Sequence, residues 1–211
     1  MNVADSEVVA SILTSGGYSI TSNIEEAGII LINTCSIRDN AEQRIWGRLK
    51  AIGHLKKKRS SLLIGLIGCM AERLREKVIE RENMVDLVAG PDAYRTLPLL
   101  LAEAVSGHRA VNVLLSQEET YGDIDPVRMD KNSVTSFISI MRGCNNMCSY
   151  CVVPYVRGAE RSRDPETIVR EAGILIKNGY REVTLLGQNV DSYRWLSEGN
   201  ITGFPGLLER V

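Results

Sequence analysis

In SVTSFISIMRGCNNMCSYC, residues Ser133 to Cys151, a β-rich run over Ser133–Met141 leads straight into three thiols, Cys144, Cys148 and Cys151. Thiols at these spacings can wrap one small inorganic cluster and leave a coordination position empty. A closed iron–sulfur or structural zinc site takes four protein ligands, so three in one tight loop imply a distant fourth or an open metal. Zinc favours paired Cys-x-x-Cys elements or histidines, and the only histidines, His54 and His108, have no ligand partner at a suitable spacing. The pattern therefore reads as iron–sulfur. A strand and Gly143 ahead of the first thiol suit a site at the strand end of a β/α barrel.

Downstream, Asp164-Pro165-Glu166 is a helix start with Asp164 as N-cap and Pro165 in the first turn. The helix is expected to run to Lys177, ahead of Asn178-Gly179, and Glu182–Leu186 reads as the next strand. This β-α-β order is that of repeated barrel units, and the chain ends in what reads as the following helix.

Upstream, helical and strand-like patterns alternate. Val3–Ser15 reads as an amphipathic helix stopped by Gly16-Gly17, Ala27–Asn33 as a buried strand, and Asp39–Lys57 as a helix carrying Ile45, Trp46, Leu49 and Ile52. Strands over Ser61–Gly68, Val85–Ala89 and Val111–Leu115 alternate with helices over Ala71–Glu82 and Asp92–Val105. The rhythm argues an α/β fold with a parallel sheet flanked by helices. The polar, turn-rich stretch with Pro126 reads as a linker, giving expected units of 1–118, 119–133 (linker) and 134–211.

With 25 basic and 26 acidic residues the net charge is -1, so no global attraction to nucleic acid or anionic lipid operates and any RNA contact must be local. The longest apolar run, Leu62–Met70, is too short to span a bilayer, and Met1–Glu7 lacks a signal-peptide pattern, so a soluble intracellular chain is expected. Five cysteines, three in one loop, do not form an even disulfide framework; reduced thiols serving as metal ligands fit better.

Cys35 and Cys69 each follow a predicted strand and precede a helix. Strand carboxyl ends line the ligand crevice of open α/β sheets, so the two thiols could meet there; equally, both could be small buried hydrophobes. Gly68 permits close backbone approach and favours the site. Arg157, Arg161 and Arg163 could bind phosphate or a carboxylate through forked donors, or pair with Glu160 and Asp164. Lys56-Lys57-Lys58-Arg59 reads as a solvated last helical turn, with RNA contact as the alternative.

The Cys-x-x-x-Cys-x-aromatic-Cys loop after a first strand resembles the radical S-adenosylmethionine (SAM) superfamily. Further blocks narrow the resemblance: Asn33-Thr34-Cys35-Ser36-Ile37-Arg38, Ala41-Glu42-Gln43, Gly68-Cys69-Met70-Ala71-Glu72-Arg73, Gly90-Pro91-Asp92-Ala93-Tyr94, Arg142-Gly143-Cys144, Arg157-Gly158-Ala159-Glu160-Arg161-Ser162-Arg163 and Leu186-Gly187-Gln188-Asn189-Val190. Together, from Met1 to about Tyr193, these resemble the methylthiotransferases, and the Cys35 and Gly90 blocks are most similar to the MiaB type.

The resemblance implies an N-terminal parallel α/β methylthiotransferase domain followed by the first β/α units of a partial TIM-type radical-SAM barrel. It implies two [4Fe-4S] clusters and SAM. Cys144, Cys148 and Cys151 would hold the radical-generating cluster, whose open iron is chelated by SAM and whose electron yields a 5′-deoxyadenosyl radical. Cys35 and Cys69 match two ligands of an auxiliary, sulfur-supplying cluster. The third lies in the family in a Gly-Cys-Gln segment ahead of the Met-Asn that here is Met1-Asn2, so Met1 reads as an internal methionine of a longer protein.

Tyr150 would pack near the adenine of SAM, with a core aromatic as its alternative role. Gly187, Gln188 and Asn189 would meet the amino end of SAM, or form a plain strand-end turn. The implied reaction converts N6-isopentenyladenosine next to the tRNA anticodon to its 2-methylthio derivative. The implied partners are the tRNA anticodon stem-loop and an electron donor such as flavodoxin or ferredoxin, for a monomer without membrane contact, cytoplasmic or, in a eukaryote, organellar. The alternatives are a related methylthiotransferase acting on another tRNA adenosine or a ribosomal protein, and a catalytically incomplete iron–sulfur or interaction fragment.

Overall fold

The continuously apolar runs of the first half become neighbouring parallel strands. β1 (Ile29–Thr34), β2 (Leu63–Gly68), β3 (Leu87–Ala89) and β4 (Ala110–Asn112) lie side by side in that order. The computed structural model describes residues 1–36, 39–130, 133–197 and 199–211, without the side chains of 39–41; Ile37 and Arg38 of the Cys35 block lie outside the described residues.

Side-chain alternation on β2 and β3 divides the core in two. Leu63, Ile67, Leu87 and Ala89 face one side, where they meet Val8 and Val9 of α1 (Asn2–Ser15). Ile64, Leu66 and Val88 face the other, against α2 (Asp39–Lys58), α3 (Cys69–Leu74) and α4 (Lys77–Arg81). The first side is completed by α5 (Leu97–Val105), which adds Leu97, Leu100 and Leu101. Burying each such leucine or isoleucine contributes about 1.5–3 kcal/mol, so this double-sided core explains the unbroken apolar runs.

Two expectations of regular helix fail locally. The helix expected over Ala71–Glu82 begins at Cys69 and is broken at Arg75, whose φ of 53° no α-helix accommodates. The one expected from Asp92 starts with a 3-10 turn over Tyr94–Thr96 before α5. At the basic run closing α2, only Lys57 and Lys58 are exposed. Lys56 pairs with Asp86 and donates to the Met84 carbonyl, while Arg59 donates to the carbonyls of Ile24, Glu25 and Ala27. Half of that run is thus engaged in holding loops, not solvated.

In the second half, the single strand expected over Ser133–Met141 divides. β5 (Thr135–Ser139) and β6 (Met141–Arg142) are separated at Ile140. The thiol loop and α6 (Val153–Arg157) follow, then β7 (Arg161–Ser162), which pairs antiparallel with β6. Asp164 caps α7 (Pro165–Lys177), its side chain accepting from the Glu166 N–H. β8 (Glu182–Leu186) then lies parallel to β5. An antiparallel hairpin of β9 (Arg194–Ser197) and β10 (Asn200–Gly203), absent from the sequence reading, precedes α8 (Phe204–Leu208). Ile138, Ile140, Met141, Ile168, Leu175 and Leu207 form the core of this half.

The two halves meet across α1. Its residues Ala4, Asp5, Glu7, Val8, Val9, Ala10 and Ser11 are all buried, so the helix is not amphipathic in the expected sense: it lies between the sheet and β5. The stretch read as a linker is strapped to both halves. The Tyr121 hydroxyl donates to the Pro91 carbonyl at 3.0 Å, the Ser11 hydroxyl donates to the Asp125 carbonyl at 2.6 Å, and Arg128 pairs with Glu7 at 2.7 Å and with Glu171 at 2.5 Å. Among the described residues, no helix is long and apolar enough to cross a membrane.

Candidate functional site

The thiol loop leaves the body of the protein at Gly143 and returns at β7. Gly143 has a φ of 75°, and a Cβ there would stand 2.5 Å from the Ala159 carbonyl carbon and 2.6 Å from the Gly158 oxygen. Only glycine fits this crossing. The loop base is closed by the Cys144 N–H on the Gly158 carbonyl at 3.2 Å and by the Glu160 N–H on Asn145 Oδ1 at 3.0 Å. Cys144 is buried, Cys148 exposed and Cys151 half-buried, with the Cys151 N–H donating to the Cys148 carbonyl at 2.9 Å in a tight turn. Among the described residues no three His, Cys, Asp or Glu side chains are gathered into a metal-sized cluster, so the three thiols share one loop without being drawn together.

The second pair sits where two parallel strands end in register. Thr34 of β1 faces Gly68 of β2, which places Cys35 and Cys69 just beyond neighbouring strand ends. The Thr34 hydroxyl locks this corner, donating to the Ile67 carbonyl at 2.7 Å and accepting from the Met70 N–H at 3.2 Å. Gly68, at a φ of 91°, lies so close that a Cβ would be 2.7 Å from the Thr34 carbonyl oxygen. Cys69 is 3% exposed. Burial pushes its thiol pKa up, Arg157 beside it works in the opposite direction, and Cys35 adds to the upward push.

Arg157 is the joint between the two thiol sets. It closes α6, a few residues past Cys151, and α6 packs on α3. Its Nε donates to Cys69 Sγ at 3.1 Å and its Nη2 to Asp5 Oδ2 at 2.6 Å. Arg142 donates to the other Asp5 oxygen at 3.0 Å and to the Pro91 carbonyl, and Arg161 grips Asp92 at 2.8 and 3.2 Å. Burial opposes the charge of Asp5, but Arg157 and Arg142 outweigh it and hold its carboxyl below the ordinary range. Arg163 pairs with Glu171 at 2.5 Å. The expected alternatives for Arg157, Arg161 and Arg163 are therefore both replaced: the three are buried and bind Asp5, Asp92 and Glu171, not Glu160 or Asp164, and none offers a free surface fork.

Asp5 and Asp92 escape a reading of sequence because a lone acid looks like a solvated residue. The available signal was the number of arginines crowded around the thiol loop, Arg142, Arg157, Arg161 and Arg163, against few acids nearby.

Glu72, inside the Cys69 block, is a buried acid of a different kind. Its Oε2 has no hydrogen-bond partner, and burial raises its pKa to about 7 against the pull of Arg75, with Asp92 adding to the rise. A carboxyl whose pKa is higher folded than unfolded contributes stability below its unfolded pKa, near 4.5, and loses it as pH rises toward about 7. Wild type should therefore lose stability across that window relative to Glu72→Gln, with a constant difference above it. Urea unfolding of both proteins from pH 5 to pH 8.5 measures this; parallel curves would refute it.

At the carboxyl end of β8, on the same end as the thiol loop, Gly187 packs against Met141 and Gln188 Oε1 is buried without a partner. The Asn189 carbonyl accepts from the Ser192 hydroxyl at 2.8 Å. Tyr150 is 91% exposed and belongs to no core. The donor chemistry fits iron–sulfur ligation: none of the five thiols is in a disulfide, three lie on one loop, and Arg157, whose Nε donates to Cys69 Sγ, has a buried Nη1 without a partner.

Residues 1–90 match the uncharacterized protein family UPF0004, and residues 138–202 the radical SAM superfamily. Over 195 residues the chain is 62% identical to the tRNA-2-methylthio-N(6)-dimethylallyladenosine synthase of Amoebophilus asiaticus, covering 92% of this chain and 40% of that protein. Like-named proteins of Christiangramia forsetii and Bacteroides fragilis are 56% and 55% identical, covering 99% and 100% of this chain and 44% and 46% of theirs. The chain thus spans less than half the length of these curated relatives.

Among solved structures, the radical S-adenosylmethionine methyltransferase TsrM of Kitasatospora setae matches with a TM-score of 0.58 over 89% of this chain and 45% of that one; at 12% identity this speaks for the fold alone. The two matched segments imply iron–sulfur clusters and SAM. An N-terminal UPF0004 segment followed by a radical-SAM segment, together with relatives matched across nearly the whole chain, shows that it belongs to the MiaB-type methylthiotransferase family of the radical-SAM superfamily.

Proposed function

We propose that this chain carries the two thiol centres of a tRNA methylthiotransferase that converts N6-isopentenyladenosine beside the anticodon to its 2-methylthio derivative. The observation that carries the reading is that two free-thiol sets, each at strand ends of its own α/β unit, are linked where α6 packs on α3, with Arg157, which follows the thiol loop, donating to Cys69 Sγ. The names of the curated relatives support the substrate. In this reading residues 1–118 form the methylthiotransferase unit, 119–133 the strap and 134–211 the radical-SAM unit. The setting is the cytoplasm, with tRNA as substrate, a flavodoxin or ferredoxin as electron donor and a monomeric enzyme.

Cys144, Cys148 and Cys151 would hold the radical-SAM cluster, and Cys35 and Cys69, with a further ligand, the auxiliary one. When bound, these groups and SAM supply one-electron cleavage of a sulfonium bond and a transferable sulfur. The chain's own residues provide placement. Gly143 and the loop base fix where Cys144 leaves the body, and the turn at Cys148 sets Cys151. Gln188 Oε1 offers an unused acceptor for an ammonium group such as the amino end of SAM, with Gly187 and Asn189 shaping the turn around it and Tyr150 free to lie over a purine. A base unstacked from the anticodon loop is the form of RNA that such a site can reach.

Iron and sulfide quantitation with electron paramagnetic resonance on anaerobically reconstituted protein tests both centres. Cys144→Ala should lose one signal and keep the other, and Cys69→Ala should do the reverse. Iron-free wild type, or two variants losing the same signal, would sink the reading. Mass spectrometry of tRNA nucleosides then checks for the methylthio product.

A further inference from the structure

We propose that Arg157 is a positioning residue that reaches from the radical-SAM unit into the auxiliary centre and sets the reduction potential and iron retention of a cluster held at Cys69. The inference rests on the reading of Cys69 as a cluster ligand. Three observations carry it beyond a structural ion pair. The guanidinium Nε is hydrogen-bonded to Cys69 Sγ itself at 3.1 Å, not only to a carboxylate. Arg157 is 4% exposed, so its charge acts without much solvent screening. Its Nη1 is buried with no partner, so the guanidinium keeps a donor unused after Cys69 and Asp5 are counted.

An added electron makes a cluster more negative, and hydrogen bonds to its sulfurs stabilise that reduced state. A fixed cation acts in the same direction, whereas Asp5, behind the guanidinium, acts against it. Arg157 closes α6, the helix that directly follows the Cys151 loop, so this donor is carried by the radical-SAM unit. The two centres would thus share one arginine instead of being tuned separately.

The test uses anaerobically reconstituted protein in a Cys144→Ala/Cys148→Ala/Cys151→Ala background, where only the auxiliary cluster remains, and reads its midpoint potential by paramagnetic resonance titration. Arg157→Gln should shift the midpoint to more negative potential and speed iron loss to a chelator about tenfold, the lower range for removing an outer-shell partner. Asp5→Asn breaks the same inter-unit pair without touching the sulfur, and should leave the midpoint unchanged or shift it upward. The Arg157→Gln/Asp5→Asn double variant leaves neither member of the pair buried alone, and Arg142 keeps Asp92 and the Pro91 carbonyl; should Arg157→Gln fail to fold, the double variant carries a smaller shift in the same negative direction, since the two opposed charges go together while the hydrogen bond to the sulfur is lost. A wild-type midpoint in the Arg157 variants, or the same shift from Asp5→Asn, would overturn the proposal while leaving the cluster assignment intact. A background protein that binds no iron would overturn the cluster assignment, and the proposal with it.

Discussion

Asp92→Ala should cost about 3–5 kcal/mol of folding stability, the penalty of removing one partner from a buried ion pair and stranding the other. The Asp92 side chain is fully buried and accepts from both Arg161 terminal nitrogens and from the Ser116 N–H at 3.1 Å, with Arg142 Nε 3.6 Å away. Its loss leaves Arg161, also buried, with backbone carbonyls only: those of Ser116 and Arg157. Adding Arg161→Met should recover part of the loss, because the stranded charge goes too. Urea unfolding of the two variants decides the matter; a single variant within 1 kcal/mol of wild type would contradict the assignment of this pair as the clamp between units. The pairs set the relative placement of the units; an apolar contact of equal volume could be as stable.

Gly143→Ala is the second large effect. A left-handed backbone costs an L-residue about 1–2 kcal/mol, and the new Cβ would press on the backbone of Gly158 and Ala159, which cannot rotate aside. Overpacking adds typically 1–3 kcal/mol, so a total loss of about 3 kcal/mol is expected. The loss should come with impaired iron loading at Cys144, which sits next along the chain. Thermal unfolding and iron content check both parts; a stable variant with normal iron would show that the crossing can relax.

The sequence was most readable where one residue type has one physical use. Asp164-Pro165 marked the start of α7, and the apolar runs at Ile29 and Leu63 marked strands covered on both faces. It was least readable where tertiary contact decides. Arg75 breaks a helix that propensity would continue, because the chain must turn there to bring α4 under β3. Ile140 interrupts a run of β-formers, because the strand leaves β8 and takes β7 as its partner. The β9–β10 hairpin has short strands and little alternation. At the candidate site, the strand-end placement of Cys35 and Cys69 and the shared loop of Cys144, Cys148 and Cys151 were legible from spacing, whereas Asp5 was hidden: only the arrival of Arg142 and Arg157 from beyond residue 140 makes an acid tolerable on the buried face of α1.

The pairing of β6 with β7 has a thermodynamic meaning of its own. Met141 against Ser162 and Arg142 against Arg161 tie the two ends of the thiol loop together in protein alone. The closure entropy of that loop is therefore met within the fold, by a ladder and two buried arginines, before any ligand arrives. In small zinc domains the bound ion supplies the folding free energy, so loading and folding are one event. Here the neck is closed by protein alone, so loading of a cluster on the proposed thiols is expected to be separable from folding of the surrounding protein.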